Sequence, residues 1–332
     1  MTLRKLIYLV LAASLVFFSA CSDSTEPTEE PVDEFALVTT VGDVYFSDYS
    51  TANTSISAVY DNLTDGDDSN NPYIIDLRSA DDYAAKHIQG AVNISLGSLM
   101  DKVDDGTIPD DQAIVTVCYT GQTASVAASV LNLLGYSASN MLFGMCGVTS
   151  DPAVVPKSDR WINKVNSSNW YTLDDNDEGD APEQSLPKLS TGKKSAVDII
   201  KARFVNAWDW NGDGNADWGM GVSALPDDLN NYFIVNYWPA AEYLNPGHIE
   251  GAYQYTPKVD LLSDAKLNTL PTDQKIAVYC YTGQTSAQLT AYLRILGYEA
   301  YSVTYGVNGF AYDQMTKSKY TEPTGDYSAI LE

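Results

Sequence analysis

Short apolar, β-branched runs alternate along the chain with longer segments whose small and apolar residues recur at helical spacing. Tyr73-Ile74-Ile75-Asp76-Leu77 and Ala91-Val92-Asn93-Ile94 have the length and composition of strands buried in a parallel sheet. Ala80 to Lys86 suits a short helix between them. Ala113 to Cys118 is a further β-branched strand that runs straight into a Gly-containing loop. Ala124 to Leu134 then follows the helical period, and Gly135 supplies a C-terminal stop. The order returns later as Tyr232 to Asn236, Ile276 to Cys280, and Ser286 to Leu296 closed by Gly297. Strand and helix in alternation predict α/β architecture, each unit a mainly parallel sheet with helices on both faces.

The return is a duplication. Cys118-Tyr119-Thr120-Gly121-Gln122-Thr123 recurs letter for letter as Cys280-Tyr281-Thr282-Gly283-Gln284-Thr285, an offset of 162. Upstream, His87-Ile88-Gln89-Gly90-Ala91 pairs with His248-Ile249-Glu250-Gly251-Ala252, and downstream Leu134-Gly135-Tyr136 pairs with Leu296-Gly297-Tyr298. An identical hexapeptide flanked by matches in register marks tandem domains. Asp174 to Lys194, rich in acid, Pro, Ser, Gly and Lys, has linker composition.

A strand ending in Asp76-x-Arg78, then Tyr83, then His87 to Ala91, and later a six-residue loop opening with Cys118, resembles the rhodanese domain. The resemblance covers roughly residues 50 to 150 and 196 to 315. It implies two tandem rhodanese-like domains with Cys118 and Cys280 as nucleophiles. The remainder of each loop (Tyr119 to Thr123, Tyr281 to Thr285) would cradle a persulfide. It also implies that His87 and His248, the chain's two histidines, serve the scaffold and not catalysis.

Elementary chemistry leads to the same loops. A Cys at the C-terminal end of a central parallel strand lies where α/β proteins bind ligands. Loop N–H groups and the positive end of the following helix favour thiolate, the reactive form. Gly121 and Gly283 allow the tight turn, and Thr123 and Thr285 are expected to cap the helix. Neither loop contains Arg or Lys. Phosphoryl transfer, which relies on a bidentate Arg, is therefore disfavoured, and so is dianionic thiosulfate relative to persulfides and polysulfides. Asp76 and Arg78 become Asn236 and Trp238 in the second repeat; their joint loss predicts a buried ion pair in domain one. Cys146 has no counterpart, since Phe143 to Gly147 aligns with Tyr305 to Gly309 and puts Asn308 in its place. The resemblance sets this turn beside the Cys118 loop, which makes Cys146 a candidate resolving thiol.

The N-terminus adds a destination. Arg4 and Lys5 precede an apolar run from Leu6 to Ala20, too short to span a bilayer and suited to a signal-peptide core. Ser19-Ala20-Cys21 then resembles a bacterial lipobox, with Phe18 in place of the usual Leu. Lipidation at Cys21 would leave three cysteines, an odd number outside the cytoplasm. The formal net charge of −25 excludes nucleic acid as a partner class. Asp209, Asn211, Asp213, Asn215 and Asp217 alternate as in an EF-hand loop with Gly214 at the sixth position, but Met220 replaces the bidentate Glu at the twelfth. Structural calcium and an acidic surface turn both fit this pattern, and no cofactor is required.

The expected organisation is a signal peptide (1–20), a tether (21–40), domain one (41–165), a linker (166–195) and domain two (196–332). The expected protein is exported and membrane-anchored through Cys21, facing the periplasm or cell surface. It would act as a sulfurtransferase that passes sulfane sulfur from small donors to thiol or cyanide acceptors. The alternatives are a non-catalytic sensor, carrier or docking module for reactive sulfur, and a redox protein using Cys118 with Cys146.

Overall fold

The computed structural model describes residues 32–48, 52–156, 161–165, 172–221 and 231–332. The first domain runs α1 (Glu34–Ser47), β1 (Asn53–Thr54), α2 (Ile56–Thr64), β2 (Tyr73–Asp76), α3 (Ala80–Ala85), β3 (Val92–Asn93), α4 (Leu99–Asp104), β4 (Ile114–Val117), α5 (Gln122–Leu133) and β5 (Ala138–Met141). The second runs α6 (Ala196–Ala202), α7 (Phe204–Trp208), β6 (Gly219–Met220), β7 (Tyr232–Asn236), α8 (Ala240–Tyr243), β8 (Tyr253–Gln254), β9 (Lys275–Tyr279), α9 (Gln284–Leu296) and β10 (Ala300–Val303). The sheets have the orders β1-β5-β4-β2-β3 and β6-β10-β9-β7-β8, and every pairing is parallel. The central strands β4 and β9 carry four consecutive buried residues each, as strands covered on both faces must.

The helices that follow the two cysteine loops form the centre of the molecule. Every residue of α5 except Thr123, and every residue of α9 except Thr285, is buried. Two of their polar residues bond across the interface: Ser129 Oγ donates to the Gln288 carbonyl at 2.8 Å, and Gln288 Nε2 donates to the Ala52 carbonyl at 2.9 Å. One hydrophobic cluster accordingly joins both domains, running from Val126 and Leu131 to Leu289 and Leu293.

That cluster also takes in α1, whose Leu37, Val38, Val41, Tyr45 and Phe46 are buried. Phe46 lies 4.9 Å from the Tyr292 ring. Residues from Glu34 onward, inside the span expected as a tether (21–40), are instead part of this buried helix. Glu34 itself is buried and accepts the amides of Thr191 and Gly192 at 2.7 Å each.

The segments after each domain cross over. Asp174, in the linker after domain one, exchanges backbone hydrogen bonds of 2.8 Å with His248 of domain two, and Leu173 joins the second domain's core. Glu332, after domain two, exchanges bonds of 2.9 Å with His87 of domain one, while Tyr320 and Ile330 join the first domain's core. Each histidine motif is thus strapped by the segment that follows the other domain.

Candidate functional site: two cysteine loops at the domain interface

Cys118 and Cys280 sit at the ends of β4 and β9, where the chain turns into α5 and α9. Both helices begin two residues earlier than the apolar pattern suggests, because Gly121 (φ 82°) and Gly283 (φ 74°) turn the chain in the left-handed region and serve as N-caps. Thr123 and Thr285 consequently lie inside the first helical turn, and the expected threonine caps are absent. The turn aims backbone donors at sulfur. Gly121 N–H and Ala124 N–H point at Cys118 Sγ at 3.1 and 3.4 Å, and Ser286 N–H points at Cys280 Sγ at 3.3 Å. Where domain one has Ala124, domain two has Ser286, whose hydroxyl accepts from Cys280 Sγ at 3.5 Å and pairs with Ser302 Oγ at 2.8 Å. That difference is visible when the repeats are aligned, but its meaning depends on where the side chain points.

Both sulfurs are buried. Burial pushes the Cys118 thiol up, and the amides of Ala124, Thr120, Gly121 and Thr123 only partly oppose it. The expected thiolate at this position is therefore disfavoured at rest: the donors are in place, but desolvation outweighs them. A thiol raised on folding stabilises the fold below its ordinary pKa, and that contribution is lost as pH rises through the raised value. Iodoacetamide labelling of Cys118 in the folded protein is expected to keep rising beyond pH about 8.5, the ordinary thiol value. Labelling that levels off near neutral pH would contradict this.

The loops are not independent. Gln122 Oε1 accepts the Tyr305 amide of domain two at 2.7 Å, while its Nε2 donates to Thr120 Oγ1 in its own loop at 3.1 Å. Reciprocally, Gln284 Oε1 accepts the Phe143 amide of domain one at 2.8 Å and Asn140 Nδ2 at 3.1 Å. Each loop glutamine thereby grips the turn that supports the other domain's loop. The repeated motif contains both glutamines, but only the tertiary structure shows that they act across the interface.

The supporting turns lie beside the loops, as the resemblance implied. Met145 N–H and Cys146 N–H donate to the Cys118 and Tyr119 carbonyls at 2.9 and 3.0 Å, and Val307 and Asn308 N–H do the same for Cys280 and Tyr281 at 3.1 Å each. Cys146 is buried within the cluster formed by Met145, Val148, Trp161 and Tyr320. No disulfide joins Cys118, Cys146 or Cys280. Over the first loop, the fully buried Trp161 donates from Nε1 to the Thr120 carbonyl at 2.9 Å and meets Tyr305 edge-on with ring centroids 5.0 Å apart. Nothing in the local sequence singles out Trp161, which reaches the loop from well beyond α5.

Asp76 and Arg78 form the expected buried pair, with Nη2 to Oδ2 at 2.7 Å; Arg78 also donates to the Val154 and Lys86 carbonyls. In domain two, Asn236 Nδ2 instead donates to Tyr279 OH at 2.8 Å and Trp238 stacks on Tyr281 at 4.6 Å, so the pair is replaced as a unit. Tyr119 OH bonds to Asp82, and the Arg78 guanidinium lies 5.9 Å from the Tyr119 ring centre. His87 and His248 each stack on a tyrosine and bond through Nδ1 to that tyrosine's carbonyl (Tyr83 and Tyr243).

Comparison with known families decides the fold's affiliation. The rhodanese-like domain family matches residues 55–149 and 223–313, together more than half of the chain. The chain is a tandem rhodanese-like protein. It belongs with the sulfurtransferase superfamily, and each matched segment contains one cysteine loop. No curated protein matches the chain. Among solved structures, a Staphylococcus saprophyticus protein is 21% identical with a TM-score of 0.26, covering 28% of this chain and 89% of its own. Reduced CoADR-RHD from Bacillus anthracis is 26% identical with a TM-score of 0.26, covering 30% of this chain and 16% of its own. Thiosulfate sulfurtransferase from Pseudomonas aeruginosa is 13% identical with a TM-score of 0.30 over 86% of this rhodanese-like chain, which spans about half (49%) of that protein.

Proposed function

We propose that the protein is a sulfurtransferase in which Cys118 and Cys280 each carry sulfane sulfur as a persulfide. The observation that supports this reading is the aim of loop amides at both sulfurs, at 3.1 to 3.4 Å. In the first half-reaction the cysteine thiolate attacks the outer sulfur of a persulfide donor R–S–S⁻. The Cys–S bond forms as the donor's S–S bond breaks, and R–S⁻ leaves. In the second, an acceptor thiolate or cyanide attacks the outer sulfur of Cys–S–S⁻, and the cysteine thiolate is released. The amides that point at Sγ are placed to stabilise the anion of the leaving cysteine. Buried loops without a Lys or Arg of their own favour small donors of low charge over thiosulfate, since an unpaired buried dianion is costly. Turnover with thiosulfate exceeding that with a monoanionic alkyl persulfide would overturn the donor assignment.

Anchoring is part of the same reading: Cys21 would carry lipid and hold the domains at a membrane surface. The expected signal peptide and Cys21 lie outside the described residues. Metabolic labelling with palmitate is expected to mark the wild type and to be lost in Cys21→Ala. Labelling that survives the substitution would remove the lipoprotein assignment.

Calcium would occupy the loop from Asp209 to Asp217. The buried Asp209 carboxylate accepts the amides of Gly212, Asp213 and Gly214, folding the loop around it, whereas Asp217 Oδ1 is taken by Arg294 Nη2 at 2.8 Å. Calcium at a hundredfold excess over its Kd is expected to stabilise the chain by about 2.7 kcal/mol and so raise Tm. The rise should vanish in Asp209→Ala/Asp213→Ala. No shift at millimolar calcium would leave a surface turn closed by Arg294.

A further inference from the structure

The two straps meet their histidine motifs with different donor sets. At His87 one carboxylate is supplied: Glu332 accepts the Gly90 amide at 2.9 Å and lies 3.6 Å from His87 Nε2. At His248 there are two. Asp174 is pinned by its backbone exchange with His248, and Glu178 is held by the Tyr243 hydroxyl on its amide (3.3 Å) and by the Gly251 amide on its Oε1 (3.2 Å). One oxygen from each carboxylate and one nitrogen of His248 lie within 4.8 Å of one another.

His248 is fully buried, and its Nε2 has no hydrogen-bond partner among the described residues. Its Nδ1 lies 2.9 Å from the Tyr243 carbonyl, which can only accept, so Nδ1 carries a proton and Nε2 is the position open to a further partner. Asn176 donates to Asp174 Oδ1 and Gly251 to Glu178 Oε1, so the carboxylates are partly served, but a buried Nε2 left unpartnered beside them costs free energy unless a proton or a cation sits between.

We propose that Asp174, Glu178 and His248 form a binding site for a divalent transition cation, with zinc as the best fit. One imidazole nitrogen with two carboxylate oxygens suits zinc, whereas calcium and magnesium prefer oxygen alone. A ring held through Nδ1–H to a backbone carbonyl is the orientation in which metal-bound histidines are fixed. Zinc bonds of about 2.0–2.2 Å would bring tetrahedral ligand atoms to roughly 3.4 Å apart, so the group must contract modestly. The exposed Glu178 side chain has room to do so. The ion would fasten the linker that follows domain one onto domain two, at a place where the first repeat has only a direct histidine–carboxylate contact.

The test uses the full, chelator-treated chain with zinc chloride as the probe and saturating calcium present. Calorimetry is expected to show one zinc per chain. Affinity should fall about tenfold or more in each of Glu178→Gln and Asp174→Asn, by analogy with losses at metal-supporting positions. Both substitutions are on the strap surface, so they avoid the folding risk of replacing buried His248. Zinc should also slow proteolysis of the linker in the wild type and not in either variant. Cobalt(II) should give a nitrogen–oxygen spectrum with no thiolate charge-transfer band, which separates this site from Cys118, Cys146 and Cys280. Affinity unchanged in both variants, or a thiolate band, would overturn the proposal. So would failure of the wild type to bind zinc, which would make a proton on Nε2 the partner of the carboxylates.

Discussion

If Cys118 and Cys280 are the nucleophiles as proposed, Cys118→Ser/Cys280→Ser is expected to lower sulfur transfer by about a thousandfold or more, because the attacking atom itself is removed. Each single variant should retain the activity of the other loop, as both sulfurs are met by backbone donors. The two contributions need not be equal. Cys280 has the Ser286 hydroxyl beside it, whereas Cys118 has the methyl of Ala124 at the same place. A double variant that keeps full sulfur transfer would mean that neither loop supplies the nucleophile, and a binding or docking role for the domains would take its place.

The second large effect concerns the turns beneath the loops. Phe143 (φ 63°) and Gly144 (φ 56°) are consecutive left-handed residues, as are Tyr305 (φ 62°) and Gly306 (φ 51°). A Cβ on Gly144 would overlap the Cys118 carbonyl oxygen, and one on Gly306 the Cys280 carbonyl oxygen. Gly144→Ala or Gly306→Ala should therefore combine left-handed strain of about 1–2 kcal/mol with overpacking of about 1–3 kcal/mol, a destabilisation of about 2–5 kcal/mol. Denaturant unfolding measures it. The same changes should impair sulfur loading at the overlying cysteine, because Met145 and Val307 would lose their hold on its carbonyl. Near-neutral stability in both variants would show that the turns yield easily and do not brace the loops.

Most of the candidate site is legible in the residues. The identical hexapeptides identify the loops, and the β-branched runs before them identify the central strands. The replacement of Asp76 and Arg78 by Asn236 and Trp238 announces the buried pair that the structure contains. What stays hidden is what depends on distant segments. The α1 helix follows acidic, tether-like sequence, and its buried Glu34 is satisfied by amides more than a hundred residues away. Two-residue edge strands such as β1 and β6 are too short to show any alternation. The crossed straps, the trans-domain grip of Gln122 and Gln284, and the cover of Trp161 are long-range contacts. The rise of the Cys118 thiol is hidden for a related reason: the loop predicts donors, whereas burial is set by the whole interface.

The reading of both loops as sulfur carriers is tested most directly by peptide-resolved mass spectrometry of the intact protein after brief exposure to polysulfide. One added sulfur atom is expected on the peptide containing Cys118 and one on the peptide containing Cys280, each discharged by a thiol acceptor. Sulfur confined to Cys146, or none on either loop peptide under conditions that modify a control thiol, would contradict the account.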